Sequence, residues 1–238
     1  MRKLSKSIFI MLMILLIPIY TYANELVMID GVNIIGQYPE LPTGCEATAL
    51  TMLLQYYGVD ITKEEVATDM PKASIPYYSN NVRYGEHPNN AFIGDPFSTQ
   101  GYGVYSPVII DMINEYLPNS AINLGGETFE LILQSIDSGE PVMIWATINM
   151  VAAANGPIWE TPNDGTYQWI YHEHALIVVG YDDNYIYVND PYTGALETYW
   201  RQTVINRWES LGKQAVGIKL NDNIVGGIVG DGAIYIEK

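Results

Sequence analysis

The chain has a single cysteine, Cys45, and three histidines, of which His174 opens an apolar stretch far downstream. Cys45 lies in the segment LPTGCEATALTMLLQYYG, and His174 lies in HALIVVGYDDNYIYVNDP. A cysteine thiolate is a strong nucleophile, and an imidazole that titrates near neutral pH can take the thiol proton. The fold, and not closeness in sequence, brings such partners together. These residue types therefore predict acyl-transfer chemistry at a thiol.

The surroundings of Cys45 favour a nucleophile. Residues 44/45 to 57 show helical apolar spacing, with Thr43 as the predicted N-cap and Gly58 as the stop. The partial positive charge and free N–H groups of a helix N-terminus favour a thiolate and can bind an oxyanion. The alternative interpretation of Cys45 is a small buried core residue, which is common for a free cysteine.

His174 is the preferred base because it adjoins the apolar strand predicted for residues 174–180. His172 stays a competitor, since two residues that are two apart in a strand share one face. His87 lies in the loop RYGEHPNN and is interpreted as solvated or substrate-facing.

Asp190 is the predicted partner of the histidine. A three-residue turn at 181–183 would pair residue 174 with residue 190, so that the carboxylate accepts the imidazole Nδ1–H. A slip of one residue would present Asn189 instead. The alternative interpretation of Asp190 is a turn former before Pro191.

Gln37, eight residues before the thiol, is a candidate second donor to the oxyanion. A lone glutamine in a loop is a weak signal, and the alternative interpretation is an ordinary loop residue.

The pattern of elements predicts helices in the first half and an antiparallel sheet in the second half, which is the α+β class. Helices are predicted at 45–57, 62–70, 106–117, 128–138 and 204–211, the second with a capping box at Thr62 and Glu65 and with Pro71 after it. Strands are predicted at 141–149, 174–180, 185–189, 196–199 and 214–220. Residues 71–105 and 151–168 show little periodicity and are predicted as irregular.

The first 23 residues have the features of a signal peptide, with a basic start, an apolar run from Ile8 to Ile19 and a small residue, Ala23, before a cleavage point. Residues 24–238 are then expected to form one exported domain with its core at about 32–220, secreted or held at the cell envelope. An uncleaved N-terminal anchor is the alternative. No second span is predicted, so stable membrane insertion after cleavage is not expected.

The net charge of −16, which becomes more negative once Arg2, Lys3 and Lys6 are removed, argues against nucleic acid as a partner. One cysteine cannot form an intrachain disulfide, and no zinc spacing is present. The run Asp182-Asp183-Asn184 lacks the spacing of a calcium loop and predicts a turn. We therefore expect no cofactor and no metal.

The segments GQYPELPTGCEATALTMLLQYYGVDIT and HALIVVGYDDNYIYVNDPYTG resemble the two motif blocks of the peptidase C39-like family, relatives of papain-like peptidases that process bacteriocins. The resemblance runs from about Val32 to Leu220. It implies a papain-like fold in which Cys45 is the nucleophile, His174 the base, Asp190 the orienting residue and Gln37 part of the oxyanion hole. The sequence has no exporter domain and no ATPase motif, so cleavage of double-glycine leaders is not implied.

The expected function is that of an exported cysteine peptidase acting on a peptide or protein, with a cell-envelope component as one candidate. Two alternatives are open: a transpeptidase or amidase of wall peptides that uses the same thiol, and a non-catalytic peptide-binding module on the same fold. The sequence does not distinguish hydrolysis from transfer, and it does not predict the oligomeric state.

Overall fold

The computed structural model describes residues 26–220, so the predicted signal peptide with its cleavage after Ala23, and the glycine-rich tail after Asn221, lie outside the described residues. Within residues 26–220, no helix has both the length and the apolar character needed to cross a bilayer.

The described residues form five α-helices, and each predicted helix is present with its ends shifted by a few residues at most. They are α1 Cys45–Tyr56, α2 Lys63–Asp69, α3 Ser106–Tyr116, α4 Phe129–Asp137 and α5 Arg201–Ser210. The predicted capping box at the start of α2 is confirmed, because Thr62 and Glu65 bond each other's backbone N–H groups through their side chains.

The predicted N-cap of α1 is wrong. Gly44 occupies the cap position and provides no side-chain hydrogen bond. Thr43 stands one residue too early to cap the helix, and its hydroxyl donates instead to the carbonyl of Ser98 at 2.8 Å. The loop around Ser98 is thereby held against the start of α1.

Most strands belong to one seven-stranded antiparallel sheet. Its strands are β1 Val27–Met28, β6 Ala121–Asn123, β7 Val142–Thr147, β10 Glu173–Tyr181, β11 Tyr185–Asp190, β12 Ala195–Trp200 and β13 Ala215–Ile218. They lie in the order β12-β11-β10-β7-β13-β6, with β1 also paired to β10. Five of them match the predicted strands, whereas β1 and β6 are too short for an alternating pattern to reveal them.

Strand β10 lies at the centre of the molecule and is buried on both faces. Its odd-numbered residues Ala175 and Ile177 pack in the cluster that contains α1 and α3. Its even-numbered residues Leu176 and Val178 pack in the cluster formed with α4 and α5. Two-sided burial explains why this strand is a continuous apolar run after His174.

Residues 151–168 are not irregular, and that prediction is wrong. They lie largely in a hairpin of β8 Ala154–Thr161 and β9 Gly165–Tyr171, which continues a small sheet with β3 Tyr77–Ser79 and β4 Val82–Tyr84. The pairing register shifts between Asn155 and Ile158, where Gly156-Pro157 interrupts the alternation that sequence reading depends on. Segment 71–105 is mostly loop, as predicted, with short strands that include β2 Lys72–Ala73 and β5 Phe92–Ile93.

Candidate active site at the start of the central helix

Cys45 is the first residue of α1 and is only 7% exposed. Helix α1 is buried on all sides from Cys45 to Leu54, so the fold places the thiol inside the molecule. Its Sγ donates a hydrogen bond to Glu46 Oε2 at 3.2 Å. The backbone N–H of Ala175 on β10 also bonds the thiol, and it offsets only part of the rise in the thiol pKa that burial causes. Because Ala175 directly follows His174, the helix start and the histidine strand meet at this point.

His174 and Asp190 form a buried pair. His174 Nε2 lies 2.7 Å from Asp190 Oδ1, and each residue is 1% exposed. The same carboxylate oxygen accepts the backbone N–H of Tyr192 at 2.7 Å. The fold therefore brings these two predicted site residues into contact. The expected contact through Nδ1 is wrong: the far nitrogen of the ring reaches the carboxylate.

The hairpin register that led to this pair is also wrong. Ile177 pairs with Asn189, and continuing this register would place Asp190 opposite residue 176 and not opposite His174. A bulge between Val178 and Gly180 shifts the register nearer the turn, where Asp182 Oδ1 accepts two backbone N–H groups. An offset of two residues keeps every side chain on its face, so His174 and Asp190 meet diagonally.

Asn189, the alternative to Asp190, has a different place in the structure. Its side-chain amide donates to the carbonyls of Val32 and Asn33, each at 3.2 Å. As the neighbour of Asp190 in a strand, it points to the opposite face. It therefore anchors the N-terminal segment to β11.

His172 does not share a face with His174. It lies in the turn before β10, is exposed, and has a φ of 68°. The positive φ breaks the strand geometry on which the shared face depends. His87 is also separate from Cys45: its Nδ1 accepts the N–H of Asn89, and its ring lies 4.5 Å from the Tyr167 ring at the wall of a cavity of about 430 Å³.

Gln37 is buried and lies between the two halves of the site. Its backbone N–H donates to Pro191 O at 2.8 Å, beside Asp190, and its side-chain Nε2 donates to Pro42 O at 3.0 Å, on the approach to Cys45. Gln37 Oε1 has no hydrogen-bond partner among the described residues. One of the two amide hydrogens is used by Pro42, which leaves one for another acceptor.

Two tyrosines lie at the outer side of the site. The Tyr192 ring packs edge-on to the His174 ring at 6.2 Å and to the Tyr38 ring at 5.7 Å. Tyr38 is 49% exposed and Tyr192 is 38% exposed. Burial raises the pKa of Tyr38, with smaller contributions from Tyr192 and from Cys45, so Tyr38 is near the thiol. These two half-exposed rings therefore form a solvent-facing aromatic pair beside the site.

Sequence reasoning missed a second group of site residues, the carboxyl groups of Glu46 and Glu173. Glu46 is 0% exposed and Glu173 is 6% exposed, and oxygens of their two carboxyl groups lie within 4.8 Å of each other. The signal for Glu46 was present in the sequence, since it is the one charged residue in a helix whose other residues are apolar or uncharged. Glu173 gave a weaker signal, as an acid directly before His174 at the start of a buried strand.

These acids overturn the expectation that the helix N-terminus gives Cys45 a low pKa. Burial raises the pKa of the Cys45 thiol well above its usual value, and the charges of Glu46 and Glu173 raise it further. The helix start supplies donors, but the thiol is desolvated and faces acids. The free protein therefore carries Cys45 as a thiol at neutral pH.

The group could also be considered as a metal site. Cys45 Sγ and carboxylate oxygens of Glu46 and Glu173 all lie within 4.8 Å of one another. A cation would need both acids ionised and the thiol deprotonated. Without a cation, burial raises the pKa of both acids. In the metal-free site a proton on one of the acids therefore reduces their mutual repulsion.

The match to a known family covers all the elements that build this site. Residues 29–216 match the profile of the Peptidase_C39 like family, a range that spans α1, β10 and β11 with their site residues. The chain belongs to this family. The predicted membership and the predicted α+β fold are thereby confirmed.

Two relatives agree with the assignment. The Bacillus subtilis (strain 168) protein YvpB, itself uncharacterized, is 37% identical over 182 residues, which is 76% of this chain and 71% of YvpB. The crystal structure of a Bacillus anthracis protein, provisionally described as a C39-like peptidase, superposes with a TM-score of 0.76 at 31% identity and covers 83% of this chain and 99% of that chain. The fold is therefore of the peptidase type.

Proposed function

We propose that the protein is an exported cysteine peptidase that hydrolyses a peptide or amide bond through a thioester on Cys45. The observation that carries the proposal is the buried hydrogen bond of 2.7 Å between His174 Nε2 and Asp190 Oδ1, beside the thiol-bearing helix start. Membership of the C39-like family supports the same chemistry.

The pair gives the imidazole a defined role. When Nε2 carries the proton and donates to Asp190, Nδ1 has a free lone pair and can accept the proton of Cys45. The thiolate then attacks the carbonyl carbon, and the imidazolium returns its proton to the leaving amine. Water hydrolyses the thioester and regenerates the thiol.

The oxyanion of the tetrahedral intermediate needs hydrogen-bond donors. The first intrahelical bond of α1 begins at the N–H of Thr48, so the N–H of Cys45 is not used by the helix. The second amide hydrogen of Gln37 is the other candidate donor. Two donors of this kind are the usual minimum for an oxyanion hole.

A binding module is the second candidate, and one observation favours it. The thiol of the free protein bonds to Glu46, and among the side chains that the structure describes it has no hydrogen bond to His174. A site of this kind could hold a peptide without cleaving it. Turnover therefore has to be measured and not assumed.

The test is release of new amino groups from a mixed peptide pool by the purified protein and by Cys45→Ala. We expect turnover by the wild type, none by the variant, and a mass adduct on Cys45 when the reaction is quenched with acid. Turnover that survives in Cys45→Ala would refute the proposal. Equal peptide binding by both proteins, with no turnover in either, would establish the binding module.

A further inference from the structure

Three buried groups form a chain that leads away from the thiol. Cys45 Sγ donates to Glu46 Oε2 at 3.2 Å, while Glu46 Oε1 accepts the backbone N–H of Val104 at 2.8 Å. Carboxyl oxygens of Glu46 and Glu173 also lie within 4.8 Å of each other. Glu173 Oε1 has no partner among the described residues. Residues from α1, β10 and the loop before α3 therefore converge on two carboxyl groups.

The space around the two acids is closed. A Cβ placed on Gly103 would lie 2.4 Å from Glu46 Oε1 and 2.7 Å from Glu173 Oε2, and 3.1 Å from the Trp169 ring. The oxygens of the two acids lie within 4.8 Å of each other, and both side chains are buried. Burial disfavours each charged form and the two negative charges repel each other, so one of the two acids holds a proton.

We propose that Glu46 and Glu173 share one proton and that the remaining negative charge, placed on Glu46, holds Cys45 as an unreactive thiol in the free protein. Both acids are positioning residues for the reaction proposed above, so this inference rests on the proposed function. Glu173 donates the shared proton to Glu46, and Glu46 accepts the S–H. During catalysis the proton that leaves Sγ goes to His174 Nδ1, and the proton of the pair stays where it is.

The arrangement has a direct chemical consequence. Alkylating agents and oxidants attack the thiolate, so a thiol held in its protonated form reacts slowly with both. The charge on Glu46 opposes formation of a second charge on Sγ, and a substrate must supply the interactions that overcome this opposition. The Cys45 thiol therefore stays unreactive until a substrate occupies the site.

Few other groups can change charge near the pair. On β10 the neighbour is His174, on α1 it is Cys45, and the loop before α3 and strand β9 contribute Tyr105 and Tyr167. The two tyrosine hydroxyls are hydrogen-bonded to each other at 2.7 Å, and burial raises the pKa of both, so they stay neutral. The two acids and the thiol are therefore the groups whose ionisation the experiment below reports.

The experiment measures the rate of Cys45 alkylation by iodoacetamide against pH, in the presence of chelator, for the wild type, Glu46→Gln and Glu173→Gln. Removing the charge beside Sγ in Glu46→Gln should raise the rate at neutral pH by about tenfold or more, which corresponds to one unit of thiol pKa. Glu173→Gln should react like the wild type, since its amide still donates to a charged Glu46. Glu115→Gln, which removes an exposed acid from α3, is the control and should change nothing.

The expected difference in alkylation rate between Glu46→Gln and Glu173→Gln separates the proposal from a purely structural role, because general loosening of the site would accelerate alkylation in both variants. Equal acceleration in both variants, or no acceleration in a folded Glu46→Gln, would overturn it. The infrared spectrum of the wild type in D₂O supplies a test that needs no stable Glu46 variant. It should contain the carbonyl band of a protonated carboxylic acid at neutral pD, which Glu173→Gln should lose. Absence of that band in the wild type would also overturn the proposal.

Neither readout depends on turnover, so the two proposals can fail separately. If the wild type shows the carboxylic acid band and Glu46→Gln is alkylated faster, but no peptide is cleaved, the carboxyl pair is supported and the proposed function is refuted. If peptides are cleaved but the band is absent, the proposed function is supported and the carboxyl pair is refuted.

Discussion

His174 and Glu173 are consecutive residues of the same strand, they are buried to a similar depth, and they point to opposite faces of β10. His174 faces an acid, Asp190, which accepts from the imidazole and from the N–H of Tyr192. Glu173 faces another acid, Glu46, and the two can meet only by sharing a proton. The thiol of Cys45 lies where these two arrangements adjoin.

The comparison shows that the partner, and not burial alone, decides what a buried acid does. In the proposed mechanism, Asp190 orients the imidazole that takes the proton from the thiol. Glu46 instead accepts the S–H bond and opposes its ionisation. On this proposal, His174 on one face of β10 promotes deprotonation of Cys45, and the acids on the other side restrain it.

The largest expected effect comes from breaking the imidazole side. Asp190→Asn should lower kcat/KM for peptide cleavage by about 10²- to 10⁴-fold, because the ring loses the partner that fixes its tautomer and orientation. His174→Ala should lower it at least as much. The measurement is steady-state cleavage of a peptide identified with the wild type.

The matched control is Asn189→Ala, one residue away on the opposite face of β11. It leaves the carbonyls of Val32 and Asn33 without their donor and should cost about 1–3 kcal/mol of unfolding free energy. Its kcat/KM should stay near that of the wild type. A larger kinetic loss in Asn189→Ala than in Asp190→Asn would mean that the roles assigned to these two residues are reversed.

Disrupting the carboxyl side through the backbone should have the next largest effect. In Gly103→Ala the new methyl group would lie 2.4 Å from Glu46 Oε1, so the pair must move apart. We expect a loss of several kcal/mol in unfolding free energy, of the size seen on overpacking a buried site. Denaturant unfolding measures this loss, and Cys45 alkylation should be faster in the folded variant.

Gly139→Ala provides the control for that change. Gly139 has a φ of 76°, and a Cβ added there would have no neighbouring atom within 4 Å, so only backbone strain opposes the substitution. It should cost about 1 kcal/mol and leave thiol reactivity unaltered. Similar unfolding losses for the two glycine variants would argue against a crowded carboxyl site.

A moderate effect is expected on the pH dependence of stability. Burial and the neighbouring Glu46 raise the pKa of Glu173 well above its usual value. The folded protein therefore holds a proton that the unfolded chain releases, so the stabilising contribution is complete below the unfolded pKa of about 4.3 and is lost as the pH rises. Glu173→Gln cannot titrate at this position and should show a smaller fall in melting temperature between about pH 5 and pH 8.

The melting curves that test this expectation should be collected for Glu115→Gln in parallel, since that variant removes an exposed acid of α3. Its pH dependence should follow the wild type. If Glu173→Gln also follows the wild type, then Glu173 does not hold a proton that the folded state retains.

The smallest effect should come from the aromatic pair at the outer side. Tyr192→Ala removes a ring that packs at 6.2 Å from His174 and contacts Tyr38, and it should lower kcat/KM by roughly three- to tenfold, mainly through KM, because edge-on ring contacts contribute about 0.5–1.5 kcal/mol. Tyr78→Ala, at a 73% exposed tyrosine on β3, is the control. An equal loss in both variants would show that Tyr192 has no special part in substrate binding.

Much of the site's framework followed from local pattern. Helical spacing predicted that Cys45 begins a helix, and the apolar run after His174 predicted the strand that carries it. The alternation of side chains also placed His174 and Asp190 on one face, and this survived an error of two residues in the predicted register. A shift of two residues along a strand leaves every side chain on the same face of the sheet. The pair was therefore predicted correctly, although the register and the bonded ring nitrogen were not.

The features that sequence reading missed depend on contacts between distant segments. The hairpin of β8 and β9 was hidden because Gly156 and Pro157 fall at its irregularity, and its pairing with β4 joins segments far apart in the sequence. The low thiol pKa expected from a helix start was reversed mainly by burial of Cys45, which packing of distant segments produces, and then by the neighbouring acids, Glu46 before Glu173.

By itself, the sequence predicted Cys45, His174 and Asp190 as candidate site residues and the local element that holds each of them, because periodicity and turn residues act over a few positions. Only the tertiary structure decided the ionisation state of the Cys45 thiol. Whether Cys45 is a thiol or a thiolate depends on the water excluded from the start of α1 and on the two acids placed beside it. Desolvation and close charges arise when distant segments pack, so no local pattern reports them.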